Sequence, residues 1–368
     1  MSAICCIFNF APHYRQVIYE KMDDELNCHF YFGDKVPGSL KAMNPKTLKG
    51  FQGYFKNFIY KNHIIYQYGI LTLLLKNYDN YILTVDKASL TSWFFIYLAK
   101  LLNKNVFFWT HGCYGNESFF GRLINKIFFL PSSGLFLYGD YANEKLRSLG
   151  FSTSKLHTIG NSLNYDLHLS IRKSLKRNDV FMEHFKNDNP VIIFIGRLEK
   201  GKKLEMLIET LALLAQEKEY YNCVFVGDGT DLNNLKKMSK SLSLSENVWF
   251  YGACYDDKEI ASLIYNASIC VSPGNVGLTA IHSLSFGTPV ITHNNFMEQM
   301  PEFEAIIEGW NGSFFVQNNV RSLKKTIKVW MKNHPEKTQT LIENCFSIID
   351  QKYNPYVQLE VLKKVLND

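Results

Sequence analysis

Two turns in the second half of the chain have residue types that bind a diphosphate. In FIGRLEKGKK (194–203) an apolar run leads into basic residues and a helical pattern, and in SPGNVGLTAIHSLSFGTPVIT (272–292) a glycine-containing turn precedes a short helix. The basic residues of the first turn are Arg197, Lys200, Lys202 and Lys203. A helix N-terminus exposes backbone N–H groups and the positive end of the helix dipole, so it attracts phosphate. Because Arg and Lys supply the charge that a diphosphate needs, the two turns predict a diphosphate site.

Polar residues also follow the predicted strands of the first half. Ligands of parallel α/β sheets bind beyond the carboxyl ends of the strands, so these residues are candidates for a second substrate site. They are His13, Tyr14 and Arg15 after the first strand, Asp86 after the third and His111 after the fourth. His111, in WTHGCYG, is our candidate for a catalytic role. The alternative is a histidine that caps an element or is satisfied within the core.

Short apolar runs alternate with helical patterns along both halves of the chain. Runs that are apolar throughout and separated by helices are typical of parallel strands covered on both faces. The runs lie at 4–10, 28–32, 80–85, 105–110, 134–138 and 156–160 in the first half and at 190–198, 222–229, 247–252 and 267–274 in the second. The pattern predicts two doubly wound α/β domains.

The predicted domain boundaries follow from changes in this pattern. Between Asn164 and Asn189 the periodicity is lost and the chain becomes charged, which suits a linker between domains. We therefore predict domains at 1–165 and 166–350, with 351–368 as a C-terminal helix that could cross back to the first domain. Pro355 either breaks or starts this final helix.

The composition is that of a globular protein with an uneven charge. The chain of 368 residues has 46% hydrophobic and 20% charged residues and a net charge of +6. Residues 1–165 carry 17 Lys/Arg against 10 Asp/Glu, so the basic excess lies there and indicates an anionic partner. Eight cysteines without a CxxC pair indicate a reducing cytoplasm. No apolar run approaches the ~18 residues of a membrane span, and the first residues predict a strand rather than a signal peptide.

The segment 33–63 does not fit the alternation. It has six lysines interleaved with aromatic residues and Asp34 as the acidic residue. Such a segment can lie on an anionic membrane surface, bind an anionic acceptor, or be a solvated insertion whose aromatics complete the local core. We therefore leave open whether the protein is cytoplasmic or peripheral on the inner face of a membrane. Nucleic acid is disfavoured, because no recognised binding motif appears. A nicotinamide cofactor is also disfavoured, because GxGxxG is absent.

Five motifs in order resemble the donor half of group 1 (family 4) glycosyltransferases of the GT-B fold. They are GRLEKGKKLEMLIE, FVGDGTDLNNL, NVWFYG, SPGNVGLTAIHSLSFGTPVIT and PEFEAIIEGWNG, and they cover about 190–316. NFAPHYR, WTHGCYG and IGNSLNYD (159–166) support the resemblance earlier in the chain. The resemblance implies two Rossmann-like domains that face each other across a cleft. The first would bind the acceptor and the second the nucleoside-diphosphate sugar.

The resemblance also implies roles for individual residues of the donor half. Arg197 and Lys202 match the family's diphosphate-binding pair, which we class as catalytic with His111, whereas Lys203 stands where a glycine is usual. The turn whose N–H groups face the phosphates corresponds to Gly277, Leu278 and Thr279, and Glu304 matches the glutamate before the last motif. We also assign Gly196, Lys203, Gly252 and Asn275 to the donor site. In retaining members the leaving phosphate is thought to deprotonate the acceptor, so the protein positions the substrates and stabilises charge.

One departure from the family pattern affects the predicted function. The two glutamates of the family's donor motif correspond here to Gly274 and His282, of which His282 can still hydrogen-bond a ribose hydroxyl. We predict transfer of a sugar to a lipid-linked or other anionic glycan acceptor, such as a polyprenyl-diphosphate-linked one, in surface polysaccharide assembly and with retention. No metal or other cofactor is predicted, because the carboxylates lack a DxD-type pairing. The alternatives are another GT-B enzyme, such as a nucleotide-sugar epimerase, and an inactive scaffold in a glycan assembly complex.

Overall fold

A computed structural model describes residues 3–35, 41–60, 64–84 and 87–367. The chain forms two compact units, Met1–Asn164 with Asn354–Asp368 and Tyr165–Tyr353. The strands are β1 (Ile4–Phe8), β2 (Cys28–Gly33), β3 (Phe51–Tyr60), β4 (Ile64–Tyr68), β5 (Asn80–Thr84), β6 (Asn105–Thr110), β7 (Gly134–Leu137), β8 (Leu156–Thr158), β9 (Val191–Ile195), β10 (Asn222–Val226), β11 (Val248–Gly252), β12 (Ile269–Ser272), β13 (Val290–His293) and β14 (Gly312–Phe315). The α-helices are α1 (Gln16–Glu25), α2 (Leu90–Leu101), α3 (Phe119–Phe129), α4 (Asp140–Ser148), α5 (Tyr165–Arg172), α6 (Val180–Phe185), α7 (Glu205–Gln216), α8 (Leu232–Ser241), α9 (Asp257–Asn266), α10 (Leu278–Ser285), α11 (Val320–Asn333), α12 (Gln339–Gln351) and α13 (Pro355–Asn367).

The sheet of the first unit has the order β4-β3-β2-β1-β5-β6-β7-β8. Its pairs are parallel except β3 with β4, which is antiparallel. The sequence of strand β1 is apolar throughout because its side chains pack on both faces of the sheet. Ile4, Cys6 and Phe8 pack into one core cluster, whereas Cys5 and Ile7 pack into the cluster on the other face of the sheet. Both faces of β1 are therefore covered, as the sequence predicts.

The segment that breaks the alternation forms the edge of this sheet. Strand β3 continues the parallel sheet beside β2, and β4 then returns antiparallel to it. Phe55 is buried in the core, whereas Tyr54, Phe58 and Tyr60 are exposed. Part of the segment thus completes the core and part faces solvent, and its contact with a membrane or an acceptor stays a prediction. Lys61 and His63 lie outside the described residues.

The sheet of the second unit has the order β11-β10-β9-β12-β13-β14, with parallel pairs. This is the strand order of Rossmann folds. Helix α7 covers one face, because Leu207, Ile208, Leu211 and Leu214 recur at helical spacing and are all buried. The prediction of two α/β units built on parallel sheets is confirmed.

The last helix packs with the first unit. Pro355 starts α13, where its missing N–H would be unpaired in any residue. Lys21 lies with its Nζ 3.7 Å from the ring centroid of Tyr356, and Lys363 pairs with Glu25 at 2.5 Å. The apolar face of α13 also joins the core cluster that contains β1 and α1. The chain therefore leaves the first unit after Asn164 and returns to it at Asn354.

Candidate functional site

The two predicted turns meet at one point of the second sheet. Strands β9 and β12 are neighbours, and the chain leaves them in opposite directions, from β9 to β10 and from β12 to β13. Such a topological switch point opens a crevice at the carboxyl ends of the strands, which is where ligands of these folds bind. Gly196 and Arg197 follow β9, and the turn from Gly274 to Gly277 follows β12.

Hydrogen bonds hold the two turns together. The N–H of Gly274 donates to the carbonyl of Lys202 at 2.9 Å. The Lys202 ammonium donates to the Asn275 carbonyl oxygen and Oδ1 at 2.8 and 2.9 Å. The Thr279 hydroxyl donates to the carbonyl of Ile195 at 2.9 Å. The structure thus brings together Gly196, Arg197, Lys202, Asn275 and Thr279, five of the residues that the sequence assigned to the donor site.

Gly274 is required by the close approach of the two turns. A Cβ at this position would lie 2.3 Å from the carbonyl oxygen of Gly201 and 2.8 Å from the Cα of Lys202. No side chain fits there without moving the backbone. The backbones of the two turns therefore meet directly at Gly274, next to the hydrogen bonds between Lys202 and Asn275.

The site concentrates positive charge. The Arg197 side chain is 54% exposed and pairs with Glu199 at 2.8 Å, a contact that contributes only about 0–1 kcal/mol at such exposure. Burial, and then the neighbouring Arg197 guanidinium, hold the pKa of Lys202 below its usual range, while Glu302 and Glu199 act in the opposite direction. An anion bound beside both cations would remove their mutual repulsion. Lys203 instead donates to Asn318 Oδ1 at 2.5 Å.

The helix that follows β12 adds its N-terminus to the site. Gly277 caps α10 with φ +45° and has no side chain to accept from the first N–H groups of the helix. The N–H groups of Leu278 and Thr279 lie in this first turn, as the predicted phosphate contact requires. Val276 N–H is already taken by Gln299 Oε1 at 2.8 Å.

Three further predicted donor residues lie in different surroundings. His282 is one turn into α10, its ring parallel to that of His168 at 5.4 Å, and its buried Nε2 has no hydrogen-bond partner within the described part of the chain. Burial lowers the pKa of His282 to about 4. Glu304 is half-buried in the turn Pro301–Ala305, which packs against α10. Gly252 ends β11, where its carbonyl accepts from Gly227 N–H at 2.8 Å. Their roles at the donor stay predictions.

A second candidate site lies at the corresponding point of the first sheet. Strands β1 and β5 are neighbours from which the chain departs in opposite directions, and Asn9 N–H donates to Thr84 Oγ1 at 2.9 Å across their ends. A cavity of about 200 Å³ opens here. Its lining is Asn9, Phe10, Pro12, Tyr14, Arg15, Tyr19, Thr84, Trp109, Thr110, His111 and Tyr138.

This cavity is lined by buried donor groups and a cation. Trp109 Nε1 and His111 Nδ1 are buried without a hydrogen-bond partner in the described residues, and the buried Tyr19 hydroxyl lies beside Arg15. The Arg15 guanidinium lies 5.2 Å from the ring centroids of both Trp109 and Tyr138. Burial, and then Arg15, lower the pKa of His111 to about 4, so the imidazole is neutral near pH 7. Since a buried polar group needs a partner, the cavity suits an anionic or acceptor-rich group.

The structure brings together three of the five predicted acceptor-side or catalytic residues of the first half. Tyr14, Arg15 and His111 line the cavity, whereas His13 is exposed and does not. Asp86 lies outside the described residues. Sequence reasoning missed Tyr19, Trp109 and Tyr138. The available signals were the helical spacing of Tyr19 from Arg15 and the position of Trp109 two residues before His111.

One group of potential metal ligands occurs among the described residues. His168, Asp257 and His282 have ligand atoms within 4.8 Å of one another. The rings of His168 and His282 are nearly parallel, with an interplanar angle of 6° and centroids 5.4 Å apart.

Known proteins resemble this chain in both sequence and fold. Residues 176–346 match the family model of glycosyl transferases group 1. An uncharacterized glycosyltransferase of Haemophilus influenzae is 28% identical over 156 residues, which cover 41% of this chain and 42% of that protein. The chain spans less than half the length of the first curated relatives that it matches.

Two solved structures extend the resemblance to the whole chain. The apo form of the lipopolysaccharide outer core galactosyltransferase WaaB is 15% identical, with a TM-score of 0.72 and 99% of each chain covered. Anabaena Alr3699/HepE in complex with UDP is 14% identical, with a TM-score of 0.73 and 100% of each chain covered. The chain therefore has the GT-B fold, and residues 176–346 resemble group 1 glycosyl transferases. The predicted fold class is confirmed, and the predicted resemblance to the group 1 family is confirmed over residues 176–346.

Proposed function

We propose that the protein transfers a sugar from a nucleoside-diphosphate sugar to an acceptor that carries an anionic group. The observation that carries the proposal is the pair of turns joined at the β9/β12 switch point. Arg197, Lys202 and the N-terminus of α10 converge there and can bind a diphosphate together. The match of this region to the group 1 family and the UDP bound to Alr3699/HepE support a nucleotide ligand.

The departing diphosphate is where these groups act. As the sugar–oxygen bond breaks, negative charge grows on the leaving phosphate. Arg197 and Lys202 stabilise that charge, and the first N–H groups of α10 donate to it. The acceptor oxygen bonds to the anomeric carbon on the face from which the phosphate departs, and the leaving phosphate accepts the proton of that acceptor hydroxyl. Attack on this face gives retention. We propose no metal ion for this step, because the two cations and the helix N-terminus supply the positive charge.

The acceptor site belongs, in this proposal, to the cavity of the first unit. Arg15 supplies one positive charge, and Tyr19, Trp109 and His111 supply polar groups for a phosphate or carboxylate of the acceptor. His111 acts as a neutral hydrogen-bonding group, because its pKa is about 4. A lipid-linked glycan is the acceptor class we favour, and the name of WaaB, a lipopolysaccharide outer core galactosyltransferase, supports it. We place the reaction in surface polysaccharide assembly at the cytoplasmic face of a membrane.

A thermal-shift panel tests the donor half of the proposal. UDP, GDP, CDP and dTDP are added separately to the full chain, to Lys202→Ala and to the matched control Lys200→Ala, whose exposed side chain belongs to the same turn. A nucleotide at about 100 times its dissociation constant stabilises by about 2.7 kcal/mol, so one of them should raise the melting temperature. The shift should persist in Lys200→Ala and disappear in Lys202→Ala. No shift with any nucleotide would favour the inactive scaffold.

Product analysis separates transfer from the epimerase alternative. The enzyme is given a nucleotide sugar whose base is the one found to bind in the thermal-shift panel. Transfer then requires an added glycan-lipid acceptor and yields a larger glycan. An epimerase would release the nucleoside diphosphate and an altered sugar without any acceptor. Release of an epimerised sugar would therefore contradict the proposed transfer.

A further inference from the structure

Helices α2 and α3 of the first unit present large apolar side chains to solvent. Phe119 and Phe120 are 71% and 73% exposed, and Leu101 is 78% exposed. Phe94, Leu98 and Ile124 are exposed as well. These six residues define what we call the α2–α3 face. On α2, Phe94, Leu98 and Leu101 are four and three residues apart and share one side of the helix. Phe120 and Ile124 do the same on α3, and Phe119 precedes them at the exposed start of that helix.

The α2–α3 face is one continuous surface, because the two helices pack side by side. The Tyr97 hydroxyl of α2 donates to the carbonyl of Ile127 in α3 at 3.0 Å. The rings of Trp93 and Phe128 lie with their centroids 4.6 Å apart. Tyr97 and Ile127 are themselves exposed, so they join the apolar surfaces of the two helices.

Helices α2 and α3 each have a second set of apolar residues, which are buried. Phe95 and Ile96 of α2 and Phe128 and Phe129 of α3 already fill the core. A helix whose apolar residues extend beyond its buried stripe exposes a surface that a soluble monomer rarely tolerates. Large contiguous patches of this kind mark sites where a protein or a membrane binds.

Charge distinguishes between these partners. From Lys87 to Gly139 the chain has five Lys/Arg, of which Lys104 pairs with Asp79 at 3.3 Å, and one acidic residue, Glu117. The Glu117 carboxylate is taken by the backbone N–H groups of Tyr114 and Gly115 at 2.8 and 2.9 Å. Arg122 and Lys126 are exposed on α3 itself. An apolar face flanked by basic residues matches the chemistry of an anionic bilayer surface.

We propose that the α2–α3 face binds an anionic lipid bilayer, with both helices parallel to the membrane plane. Phe119, Phe120 and Leu101 would enter the acyl boundary while Arg122 and Lys126 meet the phosphates. Among the described residues, no helix has the length and apolar character needed to cross a bilayer, so the contact is with one leaflet. A second copy of this chain is a poorer partner, because a symmetric contact would bring the like charges of two basic faces together.

Vesicle sedimentation of the full chain tests this proposal. Vesicles of equal parts phosphatidylcholine and phosphatidylglycerol should bind the protein, and pure phosphatidylcholine should bind it much more weakly. Phe119→Ser/Phe120→Ser should lower the partition coefficient at least about tenfold, since two exposed rings no longer enter the apolar layer. Arg122→Gln/Lys126→Gln should lower binding to the anionic vesicles about fivefold per residue and reduce the lipid preference.

A double variant in the second unit is the control for this experiment. Met182→Ser/Tyr220→Ser removes two exposed apolar side chains of that unit and should leave vesicle binding unchanged. Equal binding of wild type and Phe119→Ser/Phe120→Ser would overturn the proposal, as would no binding to anionic vesicles. A dimer in sedimentation velocity that Phe119→Ser/Phe120→Ser dissociates would assign the face to a second copy instead. Vesicle binding needs no nucleotide, so it is independent of the proposed transfer.

Discussion

The two units place their candidate sites at the same topological position but build them from different chemistry. In the second unit, two turns at the β9/β12 ends are joined through Gly274 and Lys202, and Arg197 is exposed beside the half-buried Lys202. In the first unit, the β1/β5 ends border a cavity with aromatic walls and one cation, Arg15. An accessible basic turn suits a diphosphate, which brings several charges and must leave again. The aromatic cavity suits one anionic group held more selectively.

The largest expected difference between the units is their response to acid. His168, His282 and His293 of the second unit are largely buried, and burial lowers their pKa values to about 3, about 4 and about 4. Burial also lowers the pKa of His111 in the first unit to about 4. The unfolded chain binds protons near pH 6.5, so it binds more protons than the folded chain between pH 6.5 and 4. Stability is therefore lost as pH falls through this window, by about 1 kcal/mol per pH unit for each histidine.

Hydrogen exchange resolved by unit, at pH 7, 6 and 5, measures this difference. With three such histidines against one, we expect the second unit to lose stability more steeply than the first. A second unit as stable at pH 5 as at pH 7 would contradict the assignment of these histidines as buried and neutral.

Arg197→Ala should have the next largest effect. Loss of the guanidinium removes stabilisation of the leaving diphosphate, so kcat/KM should fall about 100- to 1000-fold, or about 3–4 kcal/mol. Nucleotide release in the presence of acceptor measures it. Lys200→Ala, in the same turn, should change kcat/KM less than about threefold, a small effect on this scale. If Arg197→Ala and Lys200→Ala lost activity equally, the total positive charge of the turn, rather than the position of Arg197, would explain the effect.

Gly274→Ala tests whether the close approach of the two backbones is needed for donor binding. The added methyl would lie 2.3 Å from the Gly201 carbonyl oxygen, so the turns must separate at a cost of about 1–3 kcal/mol. Urea unfolding and nucleotide affinity should both weaken. Gly201→Ala is the matched control, because a Cβ there meets no atom within 4 Å. If the Gly274→Ala protein had normal nucleotide affinity, the contact between the two turns would not be needed for donor binding.

The smallest expected effect is that of Arg15→Gln in the first unit. Removing the one positive charge of the cavity should weaken inorganic phosphate binding about tenfold, or about 1.4 kcal/mol, while nucleotide binding stays unchanged. Phosphate titration by thermal shift with saturating nucleotide measures this, with Arg15→Lys as the conservative variant that restores part of the affinity. If Arg15→Gln also weakened nucleotide binding, the phosphate and the nucleotide would not bind independently.

Much of the fold could be predicted because its strands are apolar throughout. The alternation of Cys5 and Ile7 with Cys6 and Phe8 between two core clusters is the physical basis of that pattern. The edge strands β3 and β4 could not be predicted in this way. Their exposed aromatics and lysines mask the alternation, and their pairing depends on a neighbour distant in sequence.

For the candidate sites, the sequence by itself determined the residue types and their order, including Arg197 and Lys202 after β9 and Gly277 before α10. It determined them because strand ends and helix starts are local features. Only the tertiary structure decided that Gly274 contacts the Lys202 turn, that Tyr19 and Trp109 line a cavity with Arg15, and that α2 and α3 share an exposed face. Those outcomes depend on contacts between segments far apart in the chain, which no local pattern encodes.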